Sequence, residues 1–252
     1  MNIKFVTLNI WLGGKLFDQM VSFLKNQNAD IVALQEVYNG THIDWDRQFR
    51  SFEILKKELG LKYNSFAPHV ADVRTFGKIE QGNAIFSKFP IVSEKTTFFD
   101  IPYGERSEET ETDWSNWPCN LQHAEVDIDG KKLHVFNTHG PWWLNGSEET
   151  KRRLAMSKVI VEEIKKRERV ILAGDFNVQP NTKTIENIER CVKNVFKGEL
   201  KTSYNMKRKR LPGYATSICD MIFVSPTIQI LDHSCPQVDV SDHLPLVSEF
   251  EL

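Results

Sequence analysis

Two polar clusters in this chain sit at the ends of apolar runs. Gly174-Asp175-Phe176-Asn177 follows Val170-Ile171-Leu172-Ala173, and Ser241-Asp242-His243 precedes Leu244-Pro245-Leu246-Val247. A carboxylate beside an amide, and a carboxylate beside an imidazole, suit metal-assisted attack on a phosphate. Four more polar residues occupy comparable places. Asn9 follows Phe5-Val6-Thr7-Leu8, Glu36 follows Ile31 to Gln35, His139 follows Leu133 to Thr138, and Asp220 precedes Met221-Ile222-Phe223-Val224. One acid at a strand end is an ordinary turn residue. Six such points, all Asn, Asp, Glu or His, are able to converge on one rim of a sheet.

The residue types point to phosphodiester hydrolysis. Glu36, Asp242 and the amide of Asn9 are hard oxygen donors, which favour Mg²⁺ or Mn²⁺ over zinc. A metal held there would polarise a phosphoryl oxygen and offset its charge. Asp175 is suited to take a proton from water, with the Asn177 amide holding that water or a phosphate oxygen. His243 is suited to donate to the phosphate as charge builds. Asp220 is suited to hold that imidazole in one tautomer.

The elements that would position these groups alternate between strand and helix. The spacing predicts strands over Ile3–Ile10 and Asp30–Glu36, and helices over Leu16–Asn26 and Arg47–Leu59. The middle is strand-rich: Lys62–Pro68, Asn83–Ser87, Ile91–Phe99, Cys119–Ile128 and Lys132–Thr138, with Asp129-Gly130 as a two-residue hairpin turn. Ser147–Lys166 reads as the clearest helix, with Glu148 and Glu149 in its first turn. A strand over Val170–Ala173, a short helix near Thr184–Cys191, and strands near Met221–Val224, Ile228–Leu231 and Leu244–Phe250 complete the pattern. Two long loops, Ile101–Trp117 (acidic) and Lys197–Gly213 (with Lys207-Arg208-Lys209-Arg210), invite functional readings. No short repeat or low-complexity linker breaks the chain, so residues 1–252 read as one α/β domain.

The ordered set Thr7-Leu8-Asn9-Ile10, Leu34-Gln35-Glu36-Val37, Gly82-Asn83-Ala84-Ile85-Phe86-Ser87, Asn137-Thr138-His139, Gly174-Asp175-Phe176-Asn177, Asp220-Met221-Ile222-Phe223 and Ser241-Asp242-His243 resembles the endonuclease/exonuclease/phosphatase superfamily, the DNase I-like fold. The resemblance runs from residue 7 to residue 247. It implies a four-layer α/β sandwich, with two mixed β-sheets face to face and helices outside. It also implies divalent-metal-dependent cleavage of phosphoester bonds. By resemblance Glu36 is the principal metal ligand, with Asn9 and Asp242 close by, and Mg²⁺ or Mn²⁺ is the cofactor. Asp175 and Asn177 carry over as base and positioning amide, His243 as transition-state donor supported by Asp220, and His139 as a second catalytic histidine. Glu80 falls where DNase-type members place a carboxylate that orients that histidine. Asn83, Trp142 and Trp143 are expected on the substrate side, the two tryptophans as an aromatic wall. The presence of His139 argues against the apurinic-site repair branch. Arginines that many members carry are missing: Ile218-Cys219 precede Asp220, and Pro118-Cys119-Asn120 lie ahead of the His139 strand. Lys207 to Arg210 are expected as their substitute from a loop.

The whole chain sets limits. With 252 residues, 40% hydrophobic and 26% charged, it is able to bury a sizeable core. The net charge of −2 gives no general pull towards nucleic acid. Glu105, Glu108, Glu109, Glu111 and Asp113 would repel a long polyanion if they faced the site. Cys119, Cys191, Cys219 and Cys235 form no C-x-x-C pair and are expected as reduced thiols. Met1 to Val6 lacks a signal-peptide core, and no stretch is long and apolar enough to span a bilayer. The expectation is a cytoplasmic monomer acting on a phosphoester, either nucleic acid or a small phosphodiester. The alternatives are a small-molecule or lipid-headgroup phosphatase or phosphodiesterase of the same fold, or a non-catalytic binding protein that kept it. A calcineurin-like metallophosphatase needs an early Asp-x-His and a later Gly-Asn-His, and neither is present. Trp11 is expected in the core, and His42, His69, His123, His134 and His233 in ordinary surface or core roles.

Overall fold

The computed structural model describes residues 1–252. In chain order the first half comprises β1 (Asn2–Asn9), α1 (Phe17–Gln27), β2 (Ile31–Asn39), α2 (Ser51–Glu58), β3 (Tyr63–Arg74), β4 (Gly77–Ser87), β5 (Ile91–Phe98) and β6 (Gly104–Arg106). The second half comprises β7 (Asn120–Ile128), β8 (Lys131–His139), α3 (Lys151–Ile164), β9 (Val170–Asp175), α4 (Lys183–Glu189), β10 (Lys193–Asn194), β11 (Asp220–Val224), β12 (Gln229–Ser234) and β13 (Leu246–Glu251). The strands form two sheets. One has the order β12-β13-β1-β2-β4-β3-β6 and the other β10-β11-β9-β8-β7-β5. Both are mixed: β1 and β2 run parallel, as do β8 and β9, while their other neighbours run antiparallel.

Three apolar clusters set the layers. Ile3, Phe5, Ile31, Ala33 and Ile85 from the first sheet meet Val126, Leu133, Val135, Ile171 and Ile222 from the second. Period-2 alternation puts Val6, Leu8, Val32 and Leu34 on the opposite face, under Met20 and Leu24 of α1 and Phe52 and Leu55 of α2. Likewise Leu172, Phe136 and Phe223 pack on Met156 and Ile160 of α3 and Ile185 and Ile188 of α4. The result is helices, sheet, sheet, helices, the four-layer sandwich that the sequence motifs imply.

The inter-sheet face changes character towards one end. There Thr7, Gln35, Ser65, Asn83, Asn120, Gln122 and Asn137 replace the aliphatic residues, and all are buried. They form a ladder across the gap. Gln35 Nε2 donates to Asn137 Oδ1 at 2.7 Å and to Thr7 Oγ1 at 3.1 Å. Asn137 Nδ2 donates to the carbonyls of Leu34 and Ala84, and Gln122 Nε2 to Ser65. Buried amides hold position only while hydrogen-bonded, so this layer locks the two sheets in register beneath the strand ends.

Some boundaries differ from the sequence-based expectations. β3 does not stop at Pro68. It continues to Arg74 through a bulge, with Pro68 opposite Gly82, Val70 opposite Gln81, and His69 as the extra residue. A bulge is where a strand tolerates proline. The expected helix over Arg47–Leu59 is a 3₁₀ turn, Arg47–Arg50, followed by α2. The helix expected from Ser147 begins only at Lys151, because the Thr150 hydroxyl caps it by accepting from the Arg153 N–H at 3.2 Å. Glu149 instead accepts from the Thr184 backbone and hydroxyl, and Glu148 from Trp143. The acidic loop contains β6, which adds to the edge of β3.

Candidate active site

The polar strand ends gather at the amide-lined end of the sandwich. Register does part of this directly. His139 of β8 and Asp220 of β11 both pair with Asp175 of β9, so three functional side chains start from adjacent strands. Gly174, beside them, has φ +141°, and a Cβ there would lie 2.0 Å from the Thr138 carbonyl oxygen. Only glycine lets β9 approach β8 this closely. From the facing sheet, Asn9 Nδ2 reaches across to Asp175 Oδ2 at 3.2 Å and to Glu36 Oε1 at 2.9 Å.

Glu36 sits at a bulge in β2, where the register with β4 shifts between Leu34 and Val37, and has φ +60°. A bulge re-aims a side chain that plain alternation would direct elsewhere. The loop after β1 closes over the carboxylate: Leu12 N donates to Glu36 Oε2 at 2.6 Å and Gly13 N to its carbonyl at 2.8 Å. Trp11, Leu12, Glu36 and Asn177 all hold left-handed φ values, a concentration of backbone strain typical of functional sites.

Around Asp175 the geometry is that of a shared proton network. His139 Nε2 lies 3.6 Å and His243 Nε2 3.9 Å from Asp175 Oδ2, and Asn177 N donates to Oδ1 at 2.9 Å. Burial pushes the Asp175 carboxyl up. The two imidazoles, the Asn177 N–H and the Asn9 amide outweigh it and leave it below the usual range. His243 Nδ1 is 2.9 Å from Asp220 Oδ2. Burial pulls His243 down, but Asp220, Cys219 and Asp175 hold its pKa well above the ordinary value. Asp220 itself is raised by burial, opposed by His243. The turn carrying His243 is stitched to β1, with Ser241 Oγ donating to the Asn9 carbonyl at 2.6 Å. Asn177 Nδ2 donates to the Gly140 carbonyl at 3.0 Å, which leaves Oδ1 as the free end of that amide.

These groups open into a cavity of about 550 Å³, lined by Glu36, His139, Asp175, Asn177, Asp242 and His243 among others. That size suits a small ligand. Lys209 enters it from the long loop, 2.8 Å from Asp242 Oδ2, and also feels the charge of Glu36. Glu36 and Asp242 thus share a neighbourhood where an ammonium already stands in for a cation. Their two carboxylates are hard oxygen donors that fit Mg²⁺ or Mn²⁺. Asn9, expected as a third ligand, instead turns its Nδ2 to Glu36, while its Oδ1 accepts from the Trp11 N–H at 3.0 Å. A second grouping, Asp175, Cys219, Asp220 and His243, has its ligand atoms within 4.8 Å of one another. It suits a proton network better than a metal. His243 Nδ1 is committed to Asp220, and burial raises the Cys219 thiol well above its usual value, which opposes a metal thiolate.

The structure takes Asn83 and Trp143 out of the cavity wall and pairs Glu80, expected to orient His139, with Tyr103 instead. Asn83 is wholly buried in the amide ladder, donating to Asn120 Oδ1 at 3.0 Å. Glu80 accepts from the Tyr103 hydroxyl at 3.0 Å; its neighbour Gln81 lines the cavity, because alternation sends adjacent residues to opposite faces. Trp143 turns away to donate to Glu148, while Trp142 lines the cavity. Trp11 is half-buried on the wall rather than in the core. Residues without a motif join them: His69 beside His139, Gln81 on His69, Lys209 on Asp242, and Tyr204, whose ring is 4.7 Å from that of His243. Only the length and basic run of the Lys209 loop signalled any of these in the sequence.

Comparison with known proteins agrees with this architecture. The model of the Endonuclease/Exonuclease/phosphatase family matches residues 6–243, and the chain belongs to that family. No curated protein sequence matches it. Among solved structures, the endonuclease/exonuclease/phosphatase from Bacteroides vulgatus is similar over 100% of this chain and 99% of its own, with 20% identity and TM-score 0.74. The mannosyl-6-phosphatase of Bacteroides thetaiotaomicron covers 99% of this chain and 100% of its own, with 15% identity and TM-score 0.73. The catalytic domain of human Nocturnin, with bound sulfate, covers 99% and 93%, with 18% identity and TM-score 0.70. At these identities the likeness is one of fold.

Proposed function

We propose that this protein is a divalent-metal-dependent phosphoester hydrolase acting on a small phosphoester. The observation that carries the reading is the surround of Asp175: one buried carboxylate reached by Asn9, His139 and His243, opening on a cavity that also holds Glu36 and Asp242. Glu36 and Asp242 would hold Mg²⁺ or Mn²⁺, with Asn9 Nδ2 positioning the Glu36 carboxylate; the metal when bound supplies neutralisation of phosphate charge. Asp175, kept ionised, orients a water with Asn177 Oδ1 and receives its proton. His243, kept charged by Asp220, donates from Nε2 to the phosphoryl oxygen as charge builds. His139, on the other side of Asp175, serves the phosphate or the leaving oxygen.

The size of the cavity and its acidic lining favour a small substrate over a nucleic-acid strand. Glu36, Glu108, Asp175 and Asp242 all face it, against Arg74 and Lys209. The solved mannosyl-6-phosphatase shows that this fold accommodates an enzyme named for a small substrate. The test is hydrolysis of p-nitrophenyl phosphate and bis(p-nitrophenyl) phosphate with Mg²⁺ and Mn²⁺. Asp175→Ala and His243→Ala are expected to lower kcat by ~10²–10⁴ each. Glu36→Ala is expected to raise the metal concentration required. Full activity in the purified Asp175 and His243 variants would sink the assignment.

A further inference from the structure

His69 is an anomaly of the cavity wall. It is 2% exposed and lines the cavity next to His139, with ring centroids 6.1 Å apart, yet its Nδ1 has no hydrogen-bond partner in the protein. Its other nitrogen, Nε2, lies 3.2 Å from Gln81 Oε1.

The hydrogen-bond network determines which nitrogen carries the proton. Arg74 donates through Nε to Asp72 at 2.5 Å and through Nη2 to Tyr38 and Glu108. The Glu108 carboxylate accepts from Tyr38 Oη at 2.5 Å. The side-chain amide of Gln81 places Nε2 3.4 Å from Glu108 Oε1 and 3.2 Å from Tyr38 Oη. That end must be the NH₂, because it faces an acceptor. The Gln81 oxygen therefore faces His69, and His69 Nε2 carries the hydrogen. Nδ1 is left as a bare lone pair. Burial, reinforced by His139, lowers His69 to about 3, so the ring is neutral at working pH.

The same wing explains what the lone pair is for. Trp114, Trp117 and Trp142 line the cavity with His69, and the first two pack with centroids 4.6 Å apart. The guanidinium of Arg74 is shared by Asp72 and Glu108, so the wing has no cation to spare for a second phosphate. The wing joins aromatic faces to the unpaired His69 acceptor, which suits an uncharged group that carries hydrogen-bond donors. We infer that this wing is the leaving-group subsite, and that it selects phosphoesters of a neutral, hydroxyl-bearing ring by donation of a substrate hydroxyl to His69 Nδ1. This rests on the phosphoester-hydrolase reading and adds the substrate class.

The experiment is calorimetric titration of the full chain carrying Asp175→Asn, to prevent turnover, with Mg²⁺ present. The probes are glucose 6-phosphate, cyclohexylmethyl phosphate and a dithymidine dinucleotide. Glucose 6-phosphate is expected to bind at least tenfold more tightly than its hydroxyl-free counterpart, and more tightly than the dinucleotide. Adding His69→Phe is expected to bring the sugar-to-cyclohexyl ratio within twofold of unity, and His69→Gln, which restores an acceptor, to recover part of it. Equal binding of the two phosphates, tightest binding of the dinucleotide, or an unchanged ratio in His69→Phe would overturn the inference. The ligand pair needs no substitution at position 69, so a misfolded variant does not blunt the test. Failure of turnover in the native chain would instead strike the hydrolase reading, independently of these affinities.

Discussion

Asp220 illustrates how one side chain acts through another. It touches no part of the cavity, but its Oδ2 is 2.9 Å from His243 Nδ1 and holds that ring charged and oriented. Asp220→Asn keeps shape and removes the charge that stabilises the imidazolium. The expected outcome is a kcat lower by ~10²-fold or more with KM little changed, because the loss falls on the transition state. The alkaline limb of the pH–rate profile should also move down, since His243 loses the partner that raises its pKa. A steady-state profile in Mg²⁺ of both proteins checks this; an unmoved alkaline limb would show that Asp220 is merely structural. Lys209 matters for the same reason of charge. Ile218-Cys219 and Pro118-Cys119-Asn120 supply no arginine, and Lys209 is a cation that reaches the Asp242 carboxylate from a loop.

At the scale of elements, bulges and helix ends decide which residues face the site. Two bulges put Glu36 and His69 on the cavity wall, one in β2 and one in β3. The α3 helix contributes Arg153, which is fully buried and ties the preceding loop together. Its Nη1 donates to the Asn145 and Glu148 carbonyls at 2.7 Å each, and its Nη2 donates to the Asn177 carbonyl. Through those bonds α3 holds both the Trp142 loop and the turn that aims Asn177. Arg153→Met is expected to cost about 2–4 kcal/mol of stability, from three part-buried carbonyls losing a charged donor. It should lower kcat as well, even though Arg153 lies outside the cavity wall. Urea denaturation alongside kinetics tests this. A variant as stable as the parent would refute the role given to α3.

For the whole molecule, stability should depend on pH through buried imidazoles. His69 is held down to about 3 and His123 to about 4, each by burial first. The unfolded chain protonates both near 6.5, so unfolding takes up protons below that pH. Stability from neutral His69 is therefore complete above about 6.5 and lost as pH falls towards 3, at ~1.4 kcal/mol per pH unit at most. His243 works in the other direction: its raised pKa stabilises the fold at low pH and is lost as pH rises through it. Urea denaturation between pH 7 and 4.5 should show His69→Phe losing less stability over the interval than the parent. Equal slopes would show that His69 titrates normally in the fold.

Much of this fold was legible in the amino acids. The apolar runs before Asp175 and His139 each alternate between the inter-sheet core and the helical layer, so a strand with both faces covered is the simple reading. Asp129-Gly130 marks its hairpin because both residues adopt positive φ, at 52° and 80°. Strand-end Asn, Asp, Glu and His stand out because each adjoins one end of an apolar run. What period-2 alternation leaves open is the partner across the gap. Asn83 and Gln122 look like any polar strand residues, and only the facing sheet buries them in an amide ladder. Pro68 reads as a stop until a bulge carries β3 past it and presents His69. Glu80 and Gln81 differ by one position, and the pairing register alone sends Gln81 to the cavity and Glu80 to Tyr103. Local propensity and spacing thus determined most of the strands and the six polar ends, but not the short edge strands β6 and β10. The tertiary structure decided which side chains meet, because a hydrogen bond or a charge pair needs a partner brought within about 3 Å from distant chain.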